Sequence, residues 1–325
     1  MFFNKCAECS SVDVEYVDRD EIYEINGEEI LSSAKYWKCN ECDTTWICGG
    51  EQDNLAVLYR KYRDIHNMMQ SEDIVELRRK YGLTQLEFAK LTEITFERIT
   101  RYESSSLQKK EEDETFQKMK DITYTQQLLK ENPDILPLNK YQQIMSGNIK
   151  EDHVYEQMTS SLRERRDIYN NFVEAIFEKI TELILYLCSK TTLSRTQIYK
   201  LFFYIDFKGR KDNARGITGL TYRRGQYGPI PDNLNRIIDY LVDNGRLNKE
   251  VRDFINFQGE HFSSNSEPEL SIFEDYELKI IDYVRNNFEG WNTQEISDFS
   301  LQESVYLNTK PGELISYDEA EKLNI

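Results

Sequence analysis

Six cysteines stand at positions 6, 9, 39, 42, 48 and 188 of the 325 residues, and four of them make two pairs, Cys6-Ala7-Glu8-Cys9 and Cys39-Asn40-Glu41-Cys42. Two such knuckles supply four soft thiolates in a tetrahedron, the ligand set that Zn2+ prefers. Four thiolates leave no open coordination position, so the metal is expected to be structural rather than catalytic. A segment this short cannot bury a core of its own, and ligation would supply its folding free energy. Four free buried thiols and a redox dithiol are the alternatives, and a redox couple needs only one pair. Cys48 reads as an alternative or spare thiol, and Cys188, on an apolar helical face, as a core residue.

A second constellation follows in residues 76–105, ELRRKYGLTQLEFAKLTEITFERITRYESS. Leu77, Leu83, Leu86, Phe88, Ala89, Leu91, Ile94 and Ile99 can close a small helical core, with Ala89 small where two helices cross. Gln85 opens one helix, where a side chain can bind a phosphate. Thr95, Phe96, Arg98, Thr100 and Arg101 would populate the helix entering the major groove, and both arginines can pair bidentately with guanine or clamp a phosphate. Glu97 adds negative charge to that face. The charge distribution agrees: the chain carries −17 overall, yet residues 73–110 hold 8 basic side chains against 6 acidic. A general nucleic-acid coat is excluded by the total, and one local DNA contact is allowed by the distribution.

The elements that must position these residues can be read from spacing. Alternating Val12, Val14, Tyr16 and then Ile22, Ile25 around Asn26-Gly27 predict a β-hairpin between the knuckles. Residues 55–70 carry a helical pattern. Ser71 or Asp73 caps a helix through Tyr81, which Gly82 ends. Thr84 with Glu87 makes a capping box, and Thr95 opens a helix to Glu103. A single longer helix is expected from Glu112 to Lys130, broken by Pro133 and Pro137. The stretch 137–169 reads as a linker, in part helical. From Phe172 to Leu187, apolar residues at 3-4 spacing predict a buried helical face, followed by a helix over 196–207, a turn-rich segment over 216–231 and helices near 232–244, 275–288 and 292–299.

The order of cysteine knuckles and then the 76–105 motif, ending Arg101-Tyr102-Glu103, resembles the lambda-repressor-like helix-turn-helix family and, more closely, the MqsA/HigA-type antitoxins with a zinc ribbon. That family usually has Gly soon after the Glu, where Ser104-Ser105-Ser106 follows here. In the C-terminal half, Lys200-Leu201-Phe202-Phe203-Tyr204-Ile205-Asp206, Thr218-Gly219-Leu220, Tyr227-Gly228-Pro229-Ile230-Pro231 and Pro311-Gly312-Glu313-Leu314-Ile315-Ser316-Tyr317 together resemble the Panacea, or SocA-like, domain. Leu301 stands where a His is expected in Ser300-Leu301-Gln302-Glu303. The resemblance implies an antitoxin or proteolytic-adaptor domain that binds a toxin, often one encoded next door. The glycines and prolines of residues 216–234 dictate a fixed backbone path that presents flat tyrosines. Tyr222, Arg223, Tyr227 and Pro229 are the candidate partner-binding residues there, and Asp206 with Arg223 or Arg224 is expected to form a buried polar network.

These readings give an α+β, multidomain chain: a β zinc ribbon over 1–54, an all-α helix-turn-helix domain over 55–136, the linker 137–169 and a mainly α Panacea/SocA-like domain with short strands over 170–325. His66, His153 and His261 fall in a helical pattern, the linker and a Gly/Ser-rich turn, and neither a phosphate loop nor a nucleophile motif is present, so no enzyme is expected. No apolar run approaches the ~20 residues of a membrane span and the N-terminus has no signal-like apolar region, so a cytoplasmic protein without membrane contact is expected. The function this predicts is that of a type II antitoxin. It would act as a homodimer, bind operator DNA, repress its own operon and neutralise a cognate protein toxin. A proteolytic adaptor for a AAA+ protease and a phage or mobile-element regulator are the alternatives.

Overall fold

The computed structural model describes residues 5–47, 54–162, 167–253 and 258–325, and Cys48 lies outside them. They group into two compact units, Met1–Asp152 and His153–Ile325.

In the first unit, β1 (Val14–Ile25) and β2 (Glu28–Cys39) pair antiparallel over their whole length, from Val14 opposite Cys39 to Ile25 opposite Glu28. Asn26 and Gly27 both have positive φ, as the tight turn between twisted strands requires. A short β3 (Thr45–Ile47) adds to the other edge of β2. Helix α1 (Asn54–His66) covers the turn end of this sheet, where Ile30, Leu58 and Tyr62 make a small apolar core. The Asn54 side chain accepts from the Lys35 amide and donates to its carbonyl, which fixes the start of α1 against β2.

Six helices follow: α2 (Ser71–Lys80), α3 (Gln85–Thr92), α4 (Phe96–Glu103), α5 (Lys110–Met119), α6 (Ile122–Glu131) and α7 (Leu138–Ser146). Their core contains the fully buried Ile74, Phe88, Ile99, Phe116 and Met119. The Thr84–Glu87 capping box starts α3 as its sequence pattern requires. Helix α2 is capped instead by Gln70, with Asp73 as its reciprocal partner. The single helix expected over 112–130 is two helices, because the Asp121 side chain accepts from the Thr123 amide and starts α6 afresh. Helix α7 lies inside the stretch read as a linker, as does the first helix of the second unit.

That unit is built from α8 (His153–Leu162), α9 (Phe177–Lys190), β4 (Leu193–Ser194), α10 (Arg195–Asn213), β5 (Tyr222–Gly225), β6 (Gly228–Pro231), α11 (Leu234–Asp243), β7 (Leu247–Asp253), β8 (Gln258–Ser264), α12 (Asp275–Asn287), α13 (Thr293–Leu301) and α14 (Ser304–Leu307). Strands β4, β8 and β7 form one antiparallel sheet, and β5 and β6 form a separate hairpin. Helix α10 is the axis of this unit: Phe202, Phe203, Tyr204, Ile205 and Phe207 are all fully buried, and α12, α13 and β6 pack around it. The helical face expected from Phe172 begins only at Phe177. Asn171 and Phe172 both adopt left-handed backbone, and Phe172 projects into solvent. His261 is on strand β8, opposite Ser194 and Glu250, rather than in a turn. Among the described residues, no helix is long and apolar enough to cross a membrane.

Candidate functional site

The β1–β2 pairing brings the two knuckles to the end of the sheet remote from its turn, because Val14 and Cys39 are partners in register. The four sulfurs of Cys6, Cys9, Cys39 and Cys42 lie within 4.8 Å of one another. Cys6 and Cys42 are 3.6 Å apart and Cys9 and Cys39 3.5 Å apart. A tetrahedron of Zn–S bonds near 2.3 Å has sulfurs separated by about 3.8 Å, so the spacing fits a zinc ion. Cys6 and Cys39 are buried while Cys9 and Cys42 face solvent. Thr44, bonded to Cys42 Sγ at 3.2 Å through its hydroxyl and also through its backbone, holds that thiol down at about 6. Cys9 is lowered by the Ser11 amide but more than offset by its bonds to Cys39 and Cys42, which push it up to about 12. A bound cation would draw off the thiol protons.

Helices α3 and α4 meet at an angle set by the Glu93 left-handed cap and the Ile94-Thr95 joint. Beneath them, Arg78 and Glu103 form a buried bidentate pair at 2.7 and 3.2 Å. Gln85 is also buried, and its amide donates to Glu103 at 2.8 Å. Phe96 is buried in the core. Arg98 makes a two-point pair with Glu112 of α5 at 2.5 Å and donates to the Tyr102 hydroxyl at 2.9 Å. The Thr100 hydroxyl bonds back to the Phe96 carbonyl. Thr95, at the start of α4, and Glu97 and Arg101 on it are exposed.

In the second unit Asp206, fully buried on α10, accepts from the Ile217 amide at 2.8 Å, the Thr218 amide at 2.6 Å, the Thr218 hydroxyl and the Tyr222 hydroxyl at 2.6 Å. Burial raises its carboxyl above the usual range, although these donors oppose the shift. The expected partnership with Arg223 or Arg224 is not what forms. Both arginines point outward along β5, Arg223 to Asp232 at 3.0 Å and Arg224 to the Leu307 and Thr309 carbonyls. The buried hydroxyls of Thr218 and Tyr222 take the carboxylate because they are carried on the turn that packs against α10. Of the candidate partner-binding residues, Tyr222 and Pro229 are buried, while Arg223 is exposed and Tyr227 is 68 % exposed at the hairpin tip.

One residue passed over as a site in the sequence is Lys200. It is buried on α10, and its ammonium donates to the Pro229 carbonyl at 2.9 Å. Burial lowers it to about 7. Gly228, at φ +100°, makes room: a Cβ there would lie 2.7 Å from Lys200 Nζ and 2.3 Å from Ser300 Oγ. A lysine directly before the apolar run Leu201-Phe202-Phe203 is the signal in the sequence, since lysine is almost never fully buried unless paired. Asp206 and Lys200 thus hold the β5–β6 hairpin to α10 from its two ends.

Residues 198–305 match the family described as Antitoxin SocA-like, Panacea domain. The match runs from α10 through α14 and so includes Lys200, Asp206 and the β5–β6 hairpin. No curated protein and no solved structure matches the chain.

Proposed function

We propose that the chain is an antitoxin of a type II toxin–antitoxin system. Its C-terminal unit binds and neutralises a cognate protein toxin. Its N-terminal unit holds one Zn2+ in a zinc ribbon and, through a helix-turn-helix formed by α3 and α4, binds operator DNA as a homodimer and represses its own operon. The role is stoichiometric, with no catalytic residue assigned. The observation that carries the reading is the match of residues 198–305 to the SocA-like antitoxin domain. The four-cysteine cluster in the same chain supports the zinc ribbon.

Exposure supports a choice among the candidate contact residues. On the toxin side the contact falls to Tyr227 and Arg223, with Ile230, 41 % exposed, beside them, while Tyr222 and Pro229 support the hairpin from below. An exposed tyrosine and arginine on a rigid turn have the composition of an interface hot spot. On the DNA side the exposed Thr95 and Arg101 would reach the groove. Gln85 and Phe96 hold the helix pair together, and Arg98 would have to leave Glu112 to touch a phosphate. In a chain of net charge −17, such binding rests on few phosphate contacts, and its affinity falls with salt in proportion to their number.

The test is to express the protein encoded beside this gene, alone and together with the full chain. Growth arrest relieved by the chain, and relieved less by Tyr227→Ala with Arg223→Ala, is the expected result. A harmless neighbour, or arrest that the chain leaves untouched, overturns the antitoxin reading. Relief that requires a AAA+ protease and shortens the toxin's half-life replaces neutralisation with delivery. For DNA, Arg101→Ala should weaken binding of the upstream operator fragment, and unchanged affinity would remove α4 from the interface.

A further inference from the structure

A groove of about 760 Å3 opens in the C-terminal unit beside the last turns of α9 and α12. It lies on different elements from the β5–β6 hairpin. Leu187, Leu193, Leu201, Phe288 and Ile296 are buried along it, and the half-buried Trp291 closes one side. The turn bearing Trp291 is fixed twice, by the Gln197 amide donating to the Trp291 carbonyl at 2.9 Å and by the edge-to-face contact of the indole with Phe288 at 5.2 Å. Such a wall is held open rather than free to collapse, and the volume lies in the range of small-molecule sites.

Two cations, Lys190 and Arg285, stand at its mouth, of which Arg285 is paired with Asp282. Both approach the Tyr186 ring, Lys190 Nζ at 5.7 Å from its centroid and the Arg285 guanidinium at 5.3 Å. Arg285 also donates to the Tyr186 hydroxyl at 2.8 Å and sits 3.5 Å from Asp282, to which that hydroxyl is bonded. Lys190 is exposed, and among the described residues no carboxylate pairs with it. Glu289 is the one carboxylate along the groove, exposed on the turn. Cations in the last turn of a helix complement its dipole, which accounts for the position of Lys190 and Arg285. It does not account for an open apolar volume beneath them. Residues 170–325 hold 18 basic against 25 acidic side chains, so two cations over an apolar floor run against the background charge.

We propose that this groove binds a small anion carried on an apolar body, with its rings against Trp291 and Phe288 and its charge at Lys190 and Arg285. The site is separate from toxin and DNA binding, and its test uses neither. The probe is 1-anilinonaphthalene-8-sulfonate, titrated into the full zinc-loaded chain and followed by fluorescence. Its uncharged counterpart, N-phenyl-1-naphthylamine, runs in parallel. One saturable sulfonate per chain is expected. Lys190→Glu, an exposed change, should weaken the sulfonate by about fivefold or more and leave the neutral probe unchanged. Thr192→Trp, which fills the lip from another exposed position, should abolish both. Absence of binding, a sulfonate affinity insensitive to Lys190→Glu, or binding that survives Thr192→Trp would each overturn the proposal. Circular dichroism of the two variants separates loss of the site from loss of the fold.

Discussion

Replacing Lys200 by methionine should reverse its effect on stability between acid and alkaline pH. The amine is 1 % exposed, has the Pro229 carbonyl 2.9 Å away, and is lowered by burial from 10.5 to about 7. Between those values the unfolded chain holds a proton that the folded chain has released, so stability rises with pH across that window. Below about pH 7 both states are protonated and the whole cost is present, at most about 5 kcal/mol at 1.36 kcal/mol per unit. Methionine removes that cost and the slope with it. It also leaves the Pro229 carbonyl without its donor, a loss of roughly 1–3 kcal/mol. The variant should therefore be the more stable at pH 6 by roughly 2–4 kcal/mol, and the two curves should cross at about pH 9. Urea unfolding from pH 6 to 10, followed by hydrogen-exchange mass spectrometry of peptides from α10, reads this unit without interference from the other. Parallel curves for the two proteins, or a variant less stable at pH 6, would show that the ammonium is charged and well solvated in the fold and would refute the reasoning.

Gly228→Ala should lower the stability of the same unit by about 2 kcal/mol or more, because the residue sits at φ +100° and its new Cβ would meet Ser300 Oγ and Lys200 Nζ. Differential scanning calorimetry checks this, and an unchanged transition would mean that the hairpin can shift off α10. Cys39→Ser, or a strong chelator, should release about one zinc per chain by elemental analysis and expose the amides of β1 and β2 to exchange while α10 stays protected. Zinc retained by the serine variant would move the ligand set elsewhere.

What could be read in the sequence was what is local. Cys-x-x-Cys pairs, Asn26-Gly27 and the Thr84–Glu87 box act over a few residues, and each forms as its chemistry demands. Helix ends were read less well where a side chain outside the periodic pattern decides them: Asp121 splits one helix in two, and the left-handed pair Asn171-Phe172 delays α9 by five residues. Polar partners were legible only as candidates. Asp206 was marked as buried and networked, but its choice of Thr218 and Tyr222 over Arg223 depends on which face of a hairpin lies against a helix, and no spacing rule contains that. Arg98 shows the same limit. Its type suits DNA, yet Glu112, fourteen residues on, engages it once α5 is in place.

Helix α1 shows how two motifs far apart in sequence become one mechanical unit. Leu58 and Tyr62 carry the strand hairpin on one side. The next residue, Arg63, is buried and reaches the other way, donating to the Ser106 carbonyl at 2.5 Å, the Ser105 carbonyl at 3.2 Å and Gln108 at 2.8 Å. Gln108 in turn binds the Met69 carbonyl and Asp113, and Asp113 accepts the Met69 amide. Ser105 has left-handed backbone, φ +88°, a conformation that favours glycine, and the buried guanidinium fastens that turn. Removing it would orphan two carbonyls and a side-chain acceptor in the interior at once, a cost well above that of any single surface contact. The end of α4 is thus fixed by the helix on which the hairpin rests. At its far end the hairpin carries the four cysteines, beside the stacked Tyr16–Trp37 pair and the Asn40–Asp13 hydrogen bonds. The four-cysteine cluster and the end of α4 are thus joined by a chain of named contacts: the β1–β2 ladder, Ile30 on Leu58 and Tyr62, and Arg63 on the turn that follows α4.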